Sequence, residues 1–157
     1  MKSTDFTGTS LSQELKEKSL IPDAPATSVA SGAPGDAGLD GRILLALHAA
    51  AEKKALDPVV LDLRAIASFT DFFVITSGAN RRQVQAISDG VVEQLKKNGT
   101  RAARVEGYQT AEWILVDYGD FILHVFDEKA RRFYDLERLW REAVRVEVPD
   151  GAAEARP

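Results

Sequence analysis

Cysteine is absent from this 157-residue chain, and with it go disulfides, thiolate nucleophiles and thiolate metal sites. Histidine is almost as scarce: His48 and His124 are the only two, too few for a metal site built on imidazoles. No apolar run approaches the roughly 20 residues that span a membrane. The opening MKSTDFTGTS has one early lysine and no apolar stretch behind it, which departs from a secretory signal, and the arginine-rich bias of an organelle transit peptide is also missing. A cytoplasmic, membrane-free protein is the expectation. Positive charge is not in surplus either. The net charge is −4, and residues 1–40 hold three lysines against six acids, so the remainder is nearly neutral. A protein held on nucleic acid mainly by phosphate neutralisation wants a basic face, and this composition does not favour one, although a local patch is compatible with it.

What the chain does have is enough apolar material, 45%, to fill one core. That material is unevenly spread. Residues 1–38, with IPDAPATSVASGAPGDAG, offer little to bury and read as a disordered tail; Leu11–Leu20 is a short amphipathic piece within it. Residues 149–157 read as a frayed end. The folded domain is expected over 39–148.

Within it, Asp40 is placed to cap a helix over RILLALHAAAEKKA with Ile43, Leu44, Leu47 and Ala51 as its stripe. Asp57-Pro58 then breaks the chain before a β-branched strand at 59–63. FFVITS (72–77) is apolar on both faces, as a central strand is. Asn80 followed by Gln83 resembles a capping box, so a helix starts at Arg81, buries Val84, Ile87, Val91 and Leu95, and ends at Asn98-Gly99. RAARVEG, EWILVD and DFILHVF supply three more strands, and Asp135 caps a short helix carrying Leu136, Leu139 and Trp140. The order α-β-β-α-β-β-β-α predicts an α/β (α+β) domain: a mixed, roughly five-stranded sheet packed with helices.

A two-residue loop at Tyr118-Gly119 would set Asp117 opposite Asp120 and Trp113 opposite His124. Alternation then separates two faces. Ile114, Val116, Phe121, Leu123 and Val125 form a purely apolar set, the core. Trp113, Leu115, Asp117, Asp120, Ile122 and His124 mix an indole, an imidazole and two acids. A recognition surface accounts for that mixture, since tryptophan is enriched at binding hot spots. Burial of the same face under helices accounts for it equally well. The pairing depends on the loop, because a one-residue change would swap one strand's faces.

Catalytic readings find little support. Ser77-Gly78-Ala79-Asn80 precedes a helix N-terminus, a fair anion site, but no Asp-x-Asp follows on the next strand, where ARVEG offers only Glu106. There is no Walker motif and no nucleophile elbow. A metal-dependent nucleotidyl or phosphoryl transferase stays as the rival from another class. His124 could serve as a base with Asp117 or Asp120, yet no nucleophile accompanies it. His48 sits in an alanine-rich helix, more a surface or packing residue than a base. The pairs Arg81-Arg82 and Arg131-Arg132 suit either solvent or an RNA backbone.

Read together, TDFFVITSGANRRQVQAISDGVVEQLK and VEGYQTAEWILVDYGDFILHVFDEKARRFYDLERLW resemble the Iojap/RsfS family of ribosomal silencing factors. Thr70-Asp71, Arg82-Gln83-Val84, Glu106-Gly107, Trp113 with Asp117-x-Gly119-Asp120, His124, and Tyr134-x-Leu136-Glu137-x-Leu139-Trp140 carry the resemblance over roughly residues 40–142. It implies a nucleotidyltransferase-like fold lacking the catalytic acids, and therefore no enzyme, cofactor or metal. It implies binding to the large ribosomal subunit through the fourteenth large-subunit ribosomal protein, blocking subunit joining and repressing translation under nutrient limitation. A large-subunit biogenesis role, a peripheral ribosomal RNA contact and a homodimer in the free state are further implications. Under it, Trp113 is the expected apolar anchor, Asp117, Asp120 and Glu106 meet basic side chains, and Leu115, Tyr118 and His124 complete the ribosomal-protein-binding set.

Overall fold

The structure is a computed structural model and describes residues 39–149. The expected tail over 1–38, with its Leu11–Leu20 piece, and residues 150–157 of the expected C-terminal end lie outside the described residues.

Helix α1 (Gly41–Glu52) begins where Asp40 accepts a hydrogen bond from the Arg42 N–H at 2.8 Å. Its buried side is Ile43, Leu47 and Ala51 as expected, but Leu44 is exposed and Ala46, Ala49 and Ala50 take its place. Strand β1 (Leu56–Asp62) starts three residues earlier than the sequence suggests. Asp57-Pro58 does not end the pairing with β2 (Phe72–Gly78). It forms a bulge between Leu56↔Ser77 and Val59↔Ile75, where a residue lacking an N–H is tolerated.

Helix α2 (Arg81–Lys97) buries Val84, Ile87, Val91 and Leu95, the full expected stripe. Asn80 accepts from the Gln83 N–H at 2.9 Å. Gln83 reaches back one residue further than in a standard capping box, its Oε1 accepting from the Ala79 N–H at 2.6 Å. The same amide donates to the carbonyls of Lys53 and Lys54, both at 3.0 Å, so one side chain ties the end of α1 to the start of α2. Gly99, at φ +89°, closes the helix in the left-handed conformation that glycine allows.

Strands β3 (Arg104–Glu106), β4 (Trp113–Asp117) and β5 (Phe121–Asp127) follow, then helices α3 (Glu128–Tyr134) and α4 (Leu136–Leu139) and strand β6 (Val144–Val146). The sheet is six-stranded in the order β3-β4-β5-β2-β1-β6, with β2 and β5 parallel and every other pair antiparallel. The sixth strand was not foreseen. Val-Arg-Val is three residues long and only Val146 is buried, too brief for alternation to register. Strand β2 is central, as its two apolar faces require. Asp135 does precede α4, but in a left-handed conformation and without a side-chain cap; it is Asp127 that caps a helix, α3, accepting from the Ala130 N–H at 2.8 Å.

The sheet carries a core on each face. α1 and α2 cover Val60, Val74, Ile114, Val116, Phe121, Leu123 and Val125. On the other face α3, α4 and the 63–71 connection, with Ile66 and Phe69, pack over Leu61, Phe73, Ile75, Trp113, Leu115, Ile122 and Phe126. No helix among the described residues is long and apolar enough to cross a membrane.

Candidate functional site

The β4–β5 hairpin holds the expected residues in a different register. Trp113 pairs with Phe126, Leu115 with His124 and Asp117 with Ile122, and the Tyr118 N–H donates to the Phe121 carbonyl at 3.0 Å. The two-residue loop is therefore Gly119-Asp120, one position later than expected. Each strand slides by one residue in opposite senses, a net shift of two, which preserves the parity of the faces. The division into two side-chain sets survives. The opposition of Asp117 to Asp120 does not.

The aromatic and aliphatic part of the mixed face is not a surface. Trp113, Leu115, Ile122 and His124 are buried beneath the second layer, with His124 fully enclosed. Trp113, the expected apolar anchor, does not stand on an open face: its ring packs on Phe126 at 4.8 Å and Tyr134 at 5.1 Å. Leu115 and His124 are likewise enclosed, and so is Tyr118, whose ring turns inward to stack on Phe121 at 4.9 Å in the opposite core. Burial pushes the Tyr118 phenol up to about 12. None of these four presents an open contact surface in this conformation.

His124 has a clear structural role. Its Nδ1 accepts the Trp113 indole N–H at 3.0 Å, which requires the neutral tautomer protonated on Nε2. That Nε2 is buried without a hydrogen-bond partner. The Phe73 ring packs against the imidazole in a T-shaped arrangement with centroids 4.4 Å apart. Burial holds the imidazole pKa down at about 3 from its ordinary 6.5. The unfolded chain thus takes up this proton first. Stability should be full above pH 6.5 and fall as the pH drops from 6.5 towards 3, by up to about 1.4 kcal/mol per unit. Urea titrations at pH 7.5 and 5.0 measure this, and His124→Gln, which keeps an acceptor but cannot titrate, should lose that part of the slope. An equal slope in both proteins would assign it to other groups.

The acids fare differently. Asp120 is 63% exposed at the hairpin tip and Glu106 about 40% exposed on the edge strand β3. Asp117 is half-buried, accepting the Gly119 N–H at 2.8 Å, so it shapes the turn besides presenting charge. Arg104 bridges Glu106 at 2.7 Å and Asp117 at 3.4 Å. Asp71 joins them at the tip; desolvation first and the Asp120 charge second raise its carboxyl above the ordinary value. The tip's backbone is held from below, where Thr70 Oγ1 donates to the Gly119 carbonyl at 2.8 Å and the Asp71 and Phe72 N–H groups donate to the Asp120 carbonyl.

One exposed residue escaped the sequence reading. Phe133 is 75% exposed on α3, edge-on to Tyr134, which in turn rests on Trp113. No helix was expected over 128–134, so no helical phase marked position 133 as exposed.

The arginine pairs divide. Arg131 is structural, its side chain largely buried and bound to Glu137 at 3.0 Å, the Leu56 carbonyl and Ser77 Oγ, while Arg81, Arg82 and Arg132 are exposed. His48 is exposed beside Glu52. At the start of α2, the Ala79 and Gln83 N–H groups that would face a phosphate are already taken by Gln83 and Asn80.

Fold and site together define a small α+β domain that gathers several acidic groups at one braced hairpin tip and on its neighbouring edge strand. A family model described as "Ribosomal silencing factor during starvation" matches residues 39–157. The chain is 40% identical over 104 residues to the ribosomal silencing factor of Halalkalibacterium halodurans, covering 66% of this chain and 89% of that protein. It is 36% identical over 115 residues to that of Bacillus subtilis, covering 72% and 98%. A crystal structure of a Chromobacterium violaceum protein superposes with a TM-score of 0.63 at 32% identity, over 69% of this chain and 88% of that one. The chain belongs to the ribosomal silencing factor family.

Proposed function

We propose that this protein binds the large ribosomal subunit through the fourteenth large-subunit ribosomal protein, keeps the small subunit from joining and so lowers translation when nutrients are limiting. Membership of the silencing factor family across the whole described domain is the observation that carries the reading. The action is steric and requires no bond chemistry. Asp120, Glu106 and Asp117 meet basic side chains of the partner, where complementary charge speeds encounter and sets register. The exposed Phe133 supplies the apolar contact first assigned to Trp113. Trp113, Leu115, Tyr118 and His124 act from beneath, holding the tip and α3 in place. The transferase alternative is disfavoured because no Asp-x-Asp follows α2 and two N–H groups at its N-terminus, those of Ala79 and Gln83, are taken by its own side chains. A role in large-subunit biogenesis would use the same docking face.

Sedimentation of a lysate through sucrose tests the reading. The protein should travel with free large subunits and be absent from joined ribosomes, and Asp120→Arg with Glu106→Lys should move it to the top of the gradient with its melting temperature retained. A protein that never sediments with large subunits removes both ribosomal functions. Sedimentation that survives the double charge reversal removes the acidic tip as the contact.

A further inference from the structure

The hairpin tip already holds a guanidinium, and it comes from the other end of the domain. Arg42, in the first turn of α1, places Nη2 2.6 Å from Asp120 Oδ2 and 2.7 Å from Asp40 Oδ2, while its Nε lies 3.2 Å from Asp40 Oδ1. Its Cζ lies 5.5 Å from the centroid of the Phe121 ring. Two carboxylates and an aromatic face make the surroundings that a guanidinium prefers to an ammonium.

The tip does not depend on this contact for its shape. The turn closes through Tyr118 N–H to the Phe121 carbonyl and Gly119 N–H to Asp117, and is fastened by Thr70, Asp71 and Phe72. Helix α1 keeps its cap through the Arg42 backbone N–H, which any residue but proline supplies. What the Arg42 side chain contributes is charge. It neutralises part of a tip where Asp40, Asp71, Asp117 and Asp120 gather, and Asp120 is well exposed to solvent. An ion pair between exposed groups is weak, so exchange of one guanidinium for another is easy.

We propose that Arg42 is an internal competitor for the docking site: it fills a guanidinium cradle formed by Asp40, Asp120 and Phe121, and an arginine of the partner displaces it on association. The inference rests on the acidic tip being the docking face. It makes Arg42 a brake on encounter, removable without harm to the fold.

Association of the full chain with immobilised purified large ribosomal subunits tests this at low and high salt. Arg42→Ala should raise the association rate about two- to fivefold at low salt, with the gain shrinking at high salt as screening removes steering. The gain should vanish when Asp120→Asn is added, and Asp120→Asn alone should slow association. Arg42→Lys should fall between, because an ammonium fits the cradle less well. If Asp120→Asn slows association but Arg42→Ala does not quicken it, the competitor is wrong and the docking face stands. If neither variant changes the rate, or the wild-type protein does not bind, the docking face itself is wrong and the competitor falls with it. Thermal melts within a few degrees of wild type confirm that each variant is folded.

Discussion

Gly107→Ala should cost the domain about 3 kcal/mol or more, a large share of the roughly 5–15 kcal/mol that holds a domain of this kind folded. Gly107 sits at φ +80°, and a Cβ built there would overlap the carbonyl oxygen of Trp113. Two penalties combine: the left-handed backbone disfavours any side chain, and the atom in the way is main chain of β4, which cannot turn aside without disturbing the hairpin. Gly119→Ala is the matched control. It has a similar φ of +88° but nothing within 4 Å of the added carbon, so only the conformational cost of about 1 kcal/mol applies. Urea denaturation of the two variants should separate them by about 2 kcal/mol. Equal midpoints would mean that the 107–112 loop relaxes away from Trp113 freely.

Trp113→Ala should be comparably damaging and for reasons unrelated to contact with a partner. Truncating a buried tryptophan costs about 3–5 kcal/mol through lost burial and the cavity left behind. Here it also strips His124 Nδ1 of its donor inside a closed aromatic cluster. Trp113→Phe keeps most of the ring volume and should retain more than half of the lost stability. Subunit binding should follow folding in both: Trp113→Phe binds at temperatures where it is folded, and Trp113→Ala loses binding as it unfolds. A Trp113→Ala protein with a wild-type melting curve and no binding would return the indole to the interface.

That contrast marks where the sequence was legible. Val84, Ile87, Val91 and Leu95 could be read directly, because a 17-residue helix repeats its buried face often enough to be unmistakable. The two hairpin faces were legible as well, since alternation fixes parity even where the turn is misplaced by one residue. What parity cannot say is what lies on each face. Trp113 and His124 look equally apt for a partner and for α3, α4 and Phe69, and only the tertiary fold shows the latter in place. Asp120 was legible as a residue beside the turn, next to its glycine, and the structure finds it exposed. Its partner Arg42 was not, because 78 residues separate them and nothing local to either announces the other. The strand β6 escaped for want of length, and Phe133 because the seven-residue helix that carries it is too short to repeat a buried face.

The parallel seam between β2 and β5 has a further consequence, for the order in which the molecule assembles. Phe72 pairs with Phe121, and on the far side Val60 pairs with Val146, so the middle of the sheet and its last edge are stitched by segments far apart in the chain. The β1–β2 and β4–β5 hairpins form from neighbours, whereas these seams must close long loops before any contact compensates. During synthesis the N-terminal half emerges with the open edge of β2 unpaired, and β5 reaches it only some fifty residues later. Until then Phe73 and Ile75 have neither their parallel neighbour nor the α3–α4 layer, and that interval is when a newborn chain most needs shielding.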